Sequence, residues 1–228
     1  MLKYIILSLS LFINNLTTSS FAYKYNYDPR IHMFGNIGFG GTVHSLIAYP
    51  FTKAIDMNVY NGVNIRKKIN NRFIKKDNVL DLCCGIGMST KYYGIDSSPE
   101  MIRMAQILNY RNKQKKFIIA DVENYIPPIK FEHCTIMFAF HEIPEYARIN
   151  ILKNTINNIV TKSIIIVDIA TNYTPHNLML LGEPFILEYQ SNIDKNIFNL
   201  PNLLNTNLDI SKEILIPNHV ESWTINLI

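Results

Sequence analysis

Val79-Leu80-Asp81-Leu82-Cys83-Cys84-Gly85-Ile86-Gly87 is an apolar run that ends in two closely spaced glycines. Apolar residues on both faces of so short a run suit a strand buried inside a parallel sheet, and the spacing predicts a strand over Val79 to Cys84. Glycine carries no Cβ, so Gly85 and Gly87 let the backbone approach a ligand closely. A dinucleotide fingerprint requires a third glycine, and Thr90 stands in that place, which disfavours a pyrophosphate binder.

Downstream the same grammar repeats. Further apolar runs at Tyr92 to Ile95, Phe117 to Ala120, Cys134 to Phe140 and Ile164 to Ile169 predict buried strands, with helices between them. Ser98 followed by Pro99 marks one helix start, and Pro144 with Glu145 marks another. Ile214 to Val220 and Ser222 to Ile228 predict a closing antiparallel hairpin. The expected fold class is α/β: a doubly wound, mostly parallel sheet with an antiparallel C-terminal hairpin.

Upstream, Lys3 precedes the apolar run Ile5 to Ile13, and Ser20-Phe21-Ala22 offers small residues at a cleavable spacing. Residues 1–22 therefore read as a leader toward the secretory pathway or an organelle. The apolar run is too short to span a bilayer, so membrane contact is expected only through an uncleaved leader. Residues 23–77 are expected to form a helical cap, with a glycine turn at Gly38 to Gly41 and helices over Val43 to Met57 and Val59 to Phe73. Residues 78–228 form the main domain.

The chain has 228 residues, 48% hydrophobic and 18% charged, enough to bury one full core. Its net charge of +4 is scattered in short runs, so no nucleic-acid surface is expected. Cys83 and Cys84 are adjacent in a strand and point to opposite faces, which rules out a shared metal. Cys134 reads as a small buried hydrophobe, and no metal site is expected.

The strand ends carry the candidate chemistry. Asp96, with Ser97 beside it, ends the second strand, where a carboxylate can accept hydrogen bonds from both hydroxyls of a ribose. Asp121 ends the third, placed to accept from an adenine amino group, with the Val122 amide as a donor to the ring. Three suitable strand ends in the right order point to a nucleoside-bearing ligand.

Asp81 to Gly87, Gly94 to Met101 and Ala120-Asp121 resemble successive motifs of class I methyltransferases that use S-adenosylmethionine (SAM), with Cys83 replacing the first glycine of the usual loop. Cys84 to Thr90, His141-Glu142-Ile143-Pro144, Gly182-Glu183-Pro184 with Leu187 to Gln190, and Pro217 to Trp223 are similar to a narrower group in algae and related eukaryotes, often likened to quinone-biosynthesis methyltransferases. The resemblance implies SAM across the ends of the first three strands, held by Asp81, Cys83, Gly85, Gly87, Asp96, Ser97, Asp121, Val122 and Phe140, with transfer to a small-molecule acceptor. His141 and Glu142 would then stand where methyl and acceptor meet. For His141, a base or substrate anchor and a simple helix-entrance residue are both open readings. Glu142 reads as a catalytic group or a helix-start carboxylate. Glu183, Glu188 and Tyr189 read as acceptor-pocket lining or as ordinary residues of a helix.

One departure stands out. Only Met88, Ser89, Thr90 and Lys91 separate Gly87 from Tyr92, whereas a crossover between parallel strands normally holds a helix. Two outcomes follow from the gap: an active enzyme that tolerates it, or a degenerate domain whose SAM binding is weakened.

Overall fold

The computed structural model describes residues 24–33 and 35–228, and the expected leader at 1–22 lies outside them. Among the described residues seven strands, β1 (Val79–Leu82), β2 (Tyr93–Asp96), β3 (Lys116–Ile119), β4 (Phe131–Met137), β5 (Val160–Ile169), β6 (Leu208–Ile216) and β7 (Val220–Leu227), form one sheet in the order β3-β2-β1-β4-β5-β7-β6. The first five are parallel, and β7 pairs antiparallel with both β5 and β6. Strand order reverses between β1 and β4, which opens a crevice at their carboxyl ends, the usual ligand position in such sheets.

Helices cover both faces. They are α1 (Gly38–Asn58), α2 (Ile65–Asn70), α3 (Pro99–Leu108), α4 (Glu145–Asn154), α5 (Asn177–Gly182), α6 (Ile186–Phe198) and α7 (Leu200–Leu204). Ser98 caps α3 as expected, its Oγ accepting the Met101 N–H at 3.2 Å with Pro99 in the first turn. One face of the sheet, through Leu80, Ile136, Ile164 and Ile166, buries Ile151 of α4 and Tyr189 and Ile193 of α6. The other face, through Val79, Met137, Ile165 and Val167, buries Ile65 and Ile69 of α2 together with Tyr60 and Phe73. Among the described residues no helix is long and apolar enough to cross a membrane.

The short crossover is therefore covered from an unexpected direction. With no helix between β1 and β2, α2 and its flanks, which precede β1 in the chain, pack on that face. Asn70 Nδ2 donates to the Ser89 carbonyl at 2.7 Å, and Lys91 Nζ donates to the carbonyls of Asn70, Phe73 and Ile74. Residues 88–91 thus run as a tethered connection.

Several expected boundaries move, each for a local reason. The strands expected over Val79 to Cys84 and Cys134 to Phe140 stop at Leu82 and Met137, because Cys83 (φ 55) and Phe138 (φ 58) turn left-handed. Gly38 to Gly41, expected as a turn, is the first turn of α1. The helix expected over Val59 to Phe73 contracts to α2, since Asn61 (φ 49) and Gly62 (φ 77) break it. Ile214 to Val220 is not one extended arm: β6 begins at Leu208 and the chain turns at Pro217 to His219, with Asn218 at φ 60.

Candidate cofactor and acceptor site

The loop after β1 is stitched to the end of β2. The Gly85 N–H donates to Asp96 Oδ2 at 2.8 Å, the Ser98 N–H donates to Asp96 Oδ1 at 2.9 Å, and the Cys84 N–H donates to the Ile95 carbonyl at 2.9 Å. Burial of the Asp96 carboxyl group pushes its pKa up to about 6 against the pull of the two backbone donors. The two glycines differ in kind. Gly85 (φ +51) faces open space, with nothing within 4 Å of where a Cβ would stand. Gly87 (φ +77) is packed, its missing Cβ falling 2.5 Å from the Phe117 ring. Gly85 thus borders open space, while Gly87 is a packing glycine.

Asp81 turns inward. It is 1% exposed and accepts hydroxyl donors from Ser89 and Thr90, each at 2.8 Å, and from Thr135 at 2.9 Å. Its carboxylate organises the loop and crossover from below. Cys83 follows in its left-handed conformation at the place where the resembling motif carries glycine; burial raises its thiol well above the ordinary range.

The third strand end is covered by the N-terminal segment. Lys24 Nζ pairs with Asp121 Oδ2 and lies 3.7 Å from Glu123, while Tyr25 meets Tyr146 edge-on with ring centroids 6.3 Å apart. Asp121 Oδ1 also accepts the Glu123 N–H at 3.1 Å. Val122 is buried with its carbonyl held by Asn154 Nδ2 at 2.7 Å, and Ser97 occupies the bend between Asp96 and the cap of α3. Gly85, Asp96 and Asp121 therefore share the carboxyl rim of β1, β2 and β3. Phe140 does not line that rim with its ring, which lies in the core at 0% exposure.

At the end of β4, His141 is clamped by Asp168 of β5. Asp168 Oδ1 lies 2.6 Å from His141 Nδ1, and its Oδ2 accepts the N–H groups of Phe140 and His141 at 2.7 and 3.2 Å. Burial alone would lower the His141 pKa, but the fully buried Asp168 carboxylate outweighs it and pushes the imidazole up to about 9. Glu142 joins a second histidine: His32 Nε2 lies 3.0 Å from Glu142 Oε2, and His32 Nδ1 lies 3.0 Å from Glu183 Oε1. His44 stacks on His32 with ring centroids 3.7 Å apart. Burial opposes ionisation of Glu142, yet the His32 imidazole beside it holds the carboxyl below its usual range. Glu188 is exposed on α6 and accepts the Glu145 N–H at 3.1 Å, and Tyr189 is buried with its hydroxyl donating to the Ile169 carbonyl at 2.7 Å.

A cleft of about 310 Å³ lies beside the crossover, lined by Met88 and Gly87 and by Lys53, Asp56, Arg66 and Lys115. Arg66 pairs with Asp56 at 3.3 Å and sits 4.5 Å over the Phe138 ring.

Sequence reasoning missed Asp168, His32 and His44. Asp168 carried a signal, an acid inside the apolar run Ile164 to Ile169, where a lone charge needs a buried partner. The two histidines carried none, since their partners lie far along the chain.

No family model matches the chain, and no curated protein matches it. Solved structures do. The PH0226 protein from Pyrococcus horikoshii OT3 superposes with a TM-score of 0.53 at 15% identity, covering 71% of this chain and 87% of that one. The plantazolicin methyltransferase BpumL, solved with a desmethylPZN analog and SAH, gives 0.52 at 17% identity over 81% and 93%. The methyltransferase domain of bacterial CtHen1 gives 0.54 at 13% identity over 75% and 98%. Strand order, reversed hairpin and superposition agree: the chain has the class I methyltransferase fold.

Proposed function

We propose that the chain is a SAM-dependent methyltransferase acting on a small-molecule acceptor. The observation that carries this reading is the shared rim of Gly85, Asp96 and Asp121, with nothing within 4 Å of where a Gly85 Cβ would stand. When bound there, SAM would supply an electrophilic sulfonium methyl group. Asp96 has the position to receive the ribose hydroxyls, and the Gly85 backbone leaves room for the body of the cofactor. Asp121 would accept the adenine amino group once Lys24 gives way, and the Val122 amide would donate to the ring. Solved neighbours with this fold include complexes with SAH and with SAM.

His141 and Glu142 stand past the end of β4 and take the acceptor side. Asp168 fixes the orientation of the His141 ring, which leaves Nε2 directed toward Glu142, 3.7 Å from Oε1. Such a site accelerates transfer chiefly by holding donor and acceptor in line. The short crossover does not by itself favour the degenerate reading, because Asp81 and the cap tether it at several points.

Calorimetric titration of the full chain with SAH tests the proposal. Saturable binding with a Kd of about 1 to 100 μM is expected, weakened at least about tenfold by Asp96→Ala. Absence of heat with SAH at about 1 mM would instead mark a fold that has lost its cofactor.

A further inference from the structure

His32, Glu142 and Glu183 come from three distant parts of the chain and meet at one point. One potential ligand atom from each lies within 4.8 Å of the other two. His32 sits in the short turn Ile31–Met33, Glu142 follows β4, and Glu183 follows α5. Glu183 is 8% exposed, and its Oε2 is buried with no hydrogen-bond partner among the described residues.

That orphan oxygen needs an explanation. An imidazolium wedged between two carboxylates, with one ring nitrogen facing each, engages Glu183 Oε1 and leaves Oε2 buried and unpaired, which is costly. A cation bound to one ring nitrogen of His32, with the carboxylate now facing the other nitrogen turned toward it, would give the second oxygen of Glu183 a partner. It would also draw the two carboxylates together without a proton on the ring. We propose that His32, Glu142 and Glu183 bind a divalent transition-metal ion of the Mn²⁺ or Zn²⁺ type. Carboxylate oxygens suit Mn²⁺ and imidazole with carboxylates suits Zn²⁺, and three protein ligands leave coordination positions open.

The site adjoins His141, and Asp168 holds the Nδ1 side of that ring, so Nε2 is the nitrogen presented to the cluster. Coordination positions left open on the ion would adjoin His141. An acceptor bearing a hydroxyl or carbonyl oxygen is the matching substrate class, a statement that rests on the methyltransferase reading, whereas metal binding itself does not.

The experiment uses the full chain stripped with a chelator and titrated separately with MnCl₂ and ZnCl₂, followed by calorimetry and, for manganese, electron paramagnetic resonance. One equivalent should bind saturably, and His32→Ala and Glu183→Gln should each weaken binding at least about tenfold. Glu213→Gln, a surface carboxylate on the edge strand β6 that pairs with Arg72 and is no part of the cluster, should leave affinity unchanged. No saturable binding of either ion up to about 1 mM overturns the site, as does unchanged affinity in folded His32→Ala and Glu183→Gln. If those variants fail to fold, zinc absorption spectroscopy on the unaltered chain decides: imidazole scattering with a mixed nitrogen and oxygen shell supports the site, and an all-oxygen or thiolate shell refutes it. SAH binding, measured in the same samples, reports separately on the cofactor rim.

Discussion

Thr90 Oγ1 donates to Asp81 Oδ2 across 2.8 Å, tying the short crossover back to the strand it leaves. Ser89 and Thr135 complete the ring of donors, and all four groups are buried. Removing the acceptor strands three hydroxyls away from water. Asp81→Ala is expected to cost about 3 kcal/mol or more and Thr90→Val about 1 kcal/mol, read from urea unfolding midpoints. A loss below about 1 kcal/mol for Asp81→Ala would show that the cap alone holds the crossover.

Asp96 makes cofactor binding depend on pH in a defined direction. Its folded pKa, raised by burial from the ordinary 3.8 to about 6, means the ionised form is complete only above that point. Ribose hydroxyls donate to the ionised form, so SAH affinity should be flat above about pH 7 and decline toward tenfold per unit below pH 6. The same shift works against folding: the folded state holds its proton more tightly than the unfolded chain, so this group's contribution to stability falls as pH rises from about 4 to 6. Calorimetry with SAH across pH 5 to 8 checks the first statement; an affinity that rises on acidification contradicts it.

The two loop glycines should separate under substitution. Gly85→Ala meets open space and pays only for its left-handed backbone, roughly 1 to 2 kcal/mol, yet it should cost more SAH affinity because its methyl enters the ligand's room. Gly87→Ala strikes the Phe117 ring and should lose about 3 kcal/mol or more, with cofactor affinity preserved in whatever fraction stays folded. Paired urea and SAH titrations test the contrast, and the opposite ranking would mean that the two positions have been assigned the wrong way round.

The cap should matter to the sheet as its own strands do. Ile69 is 0% exposed against Val79, Met137, Ile165 and Val167, so Ile69→Ala should cost about 2 to 5 kcal/mol in one cooperative transition. A separate early transition for the cap, seen by near-ultraviolet dichroism, would contradict that coupling.

What was legible in the chain was local. The apolar run at Val79, the paired glycines and the Ser98-Pro99 start each express their structure through neighbouring residues, and β1, the loop and α3 follow them closely. Legibility failed where tertiary contacts decide. Gly38 to Gly41 looked like a turn on propensity, but the segment begins a helix that packs beside α3. The first arm of the hairpin was misplaced because β6 is an exposed edge, where Asp209, Ser211 and Glu213 alternate with apolar residues only weakly. The polar cluster past β4 was half visible: His141 and Glu142 were adjacent in the text, while His32, Glu183 and Asp168 reach them only through folding.

Because α2 comes before β1 yet lies on a face built from β1, β4 and β5, residues 65–73 have no surface to settle on until strands made much later have assembled. Such distant pairings raise contact order and slow folding. A fragment starting at Asn78 would leave a stripe of valine, isoleucine and methionine bare, and it should precipitate on expression even though it contains every strand.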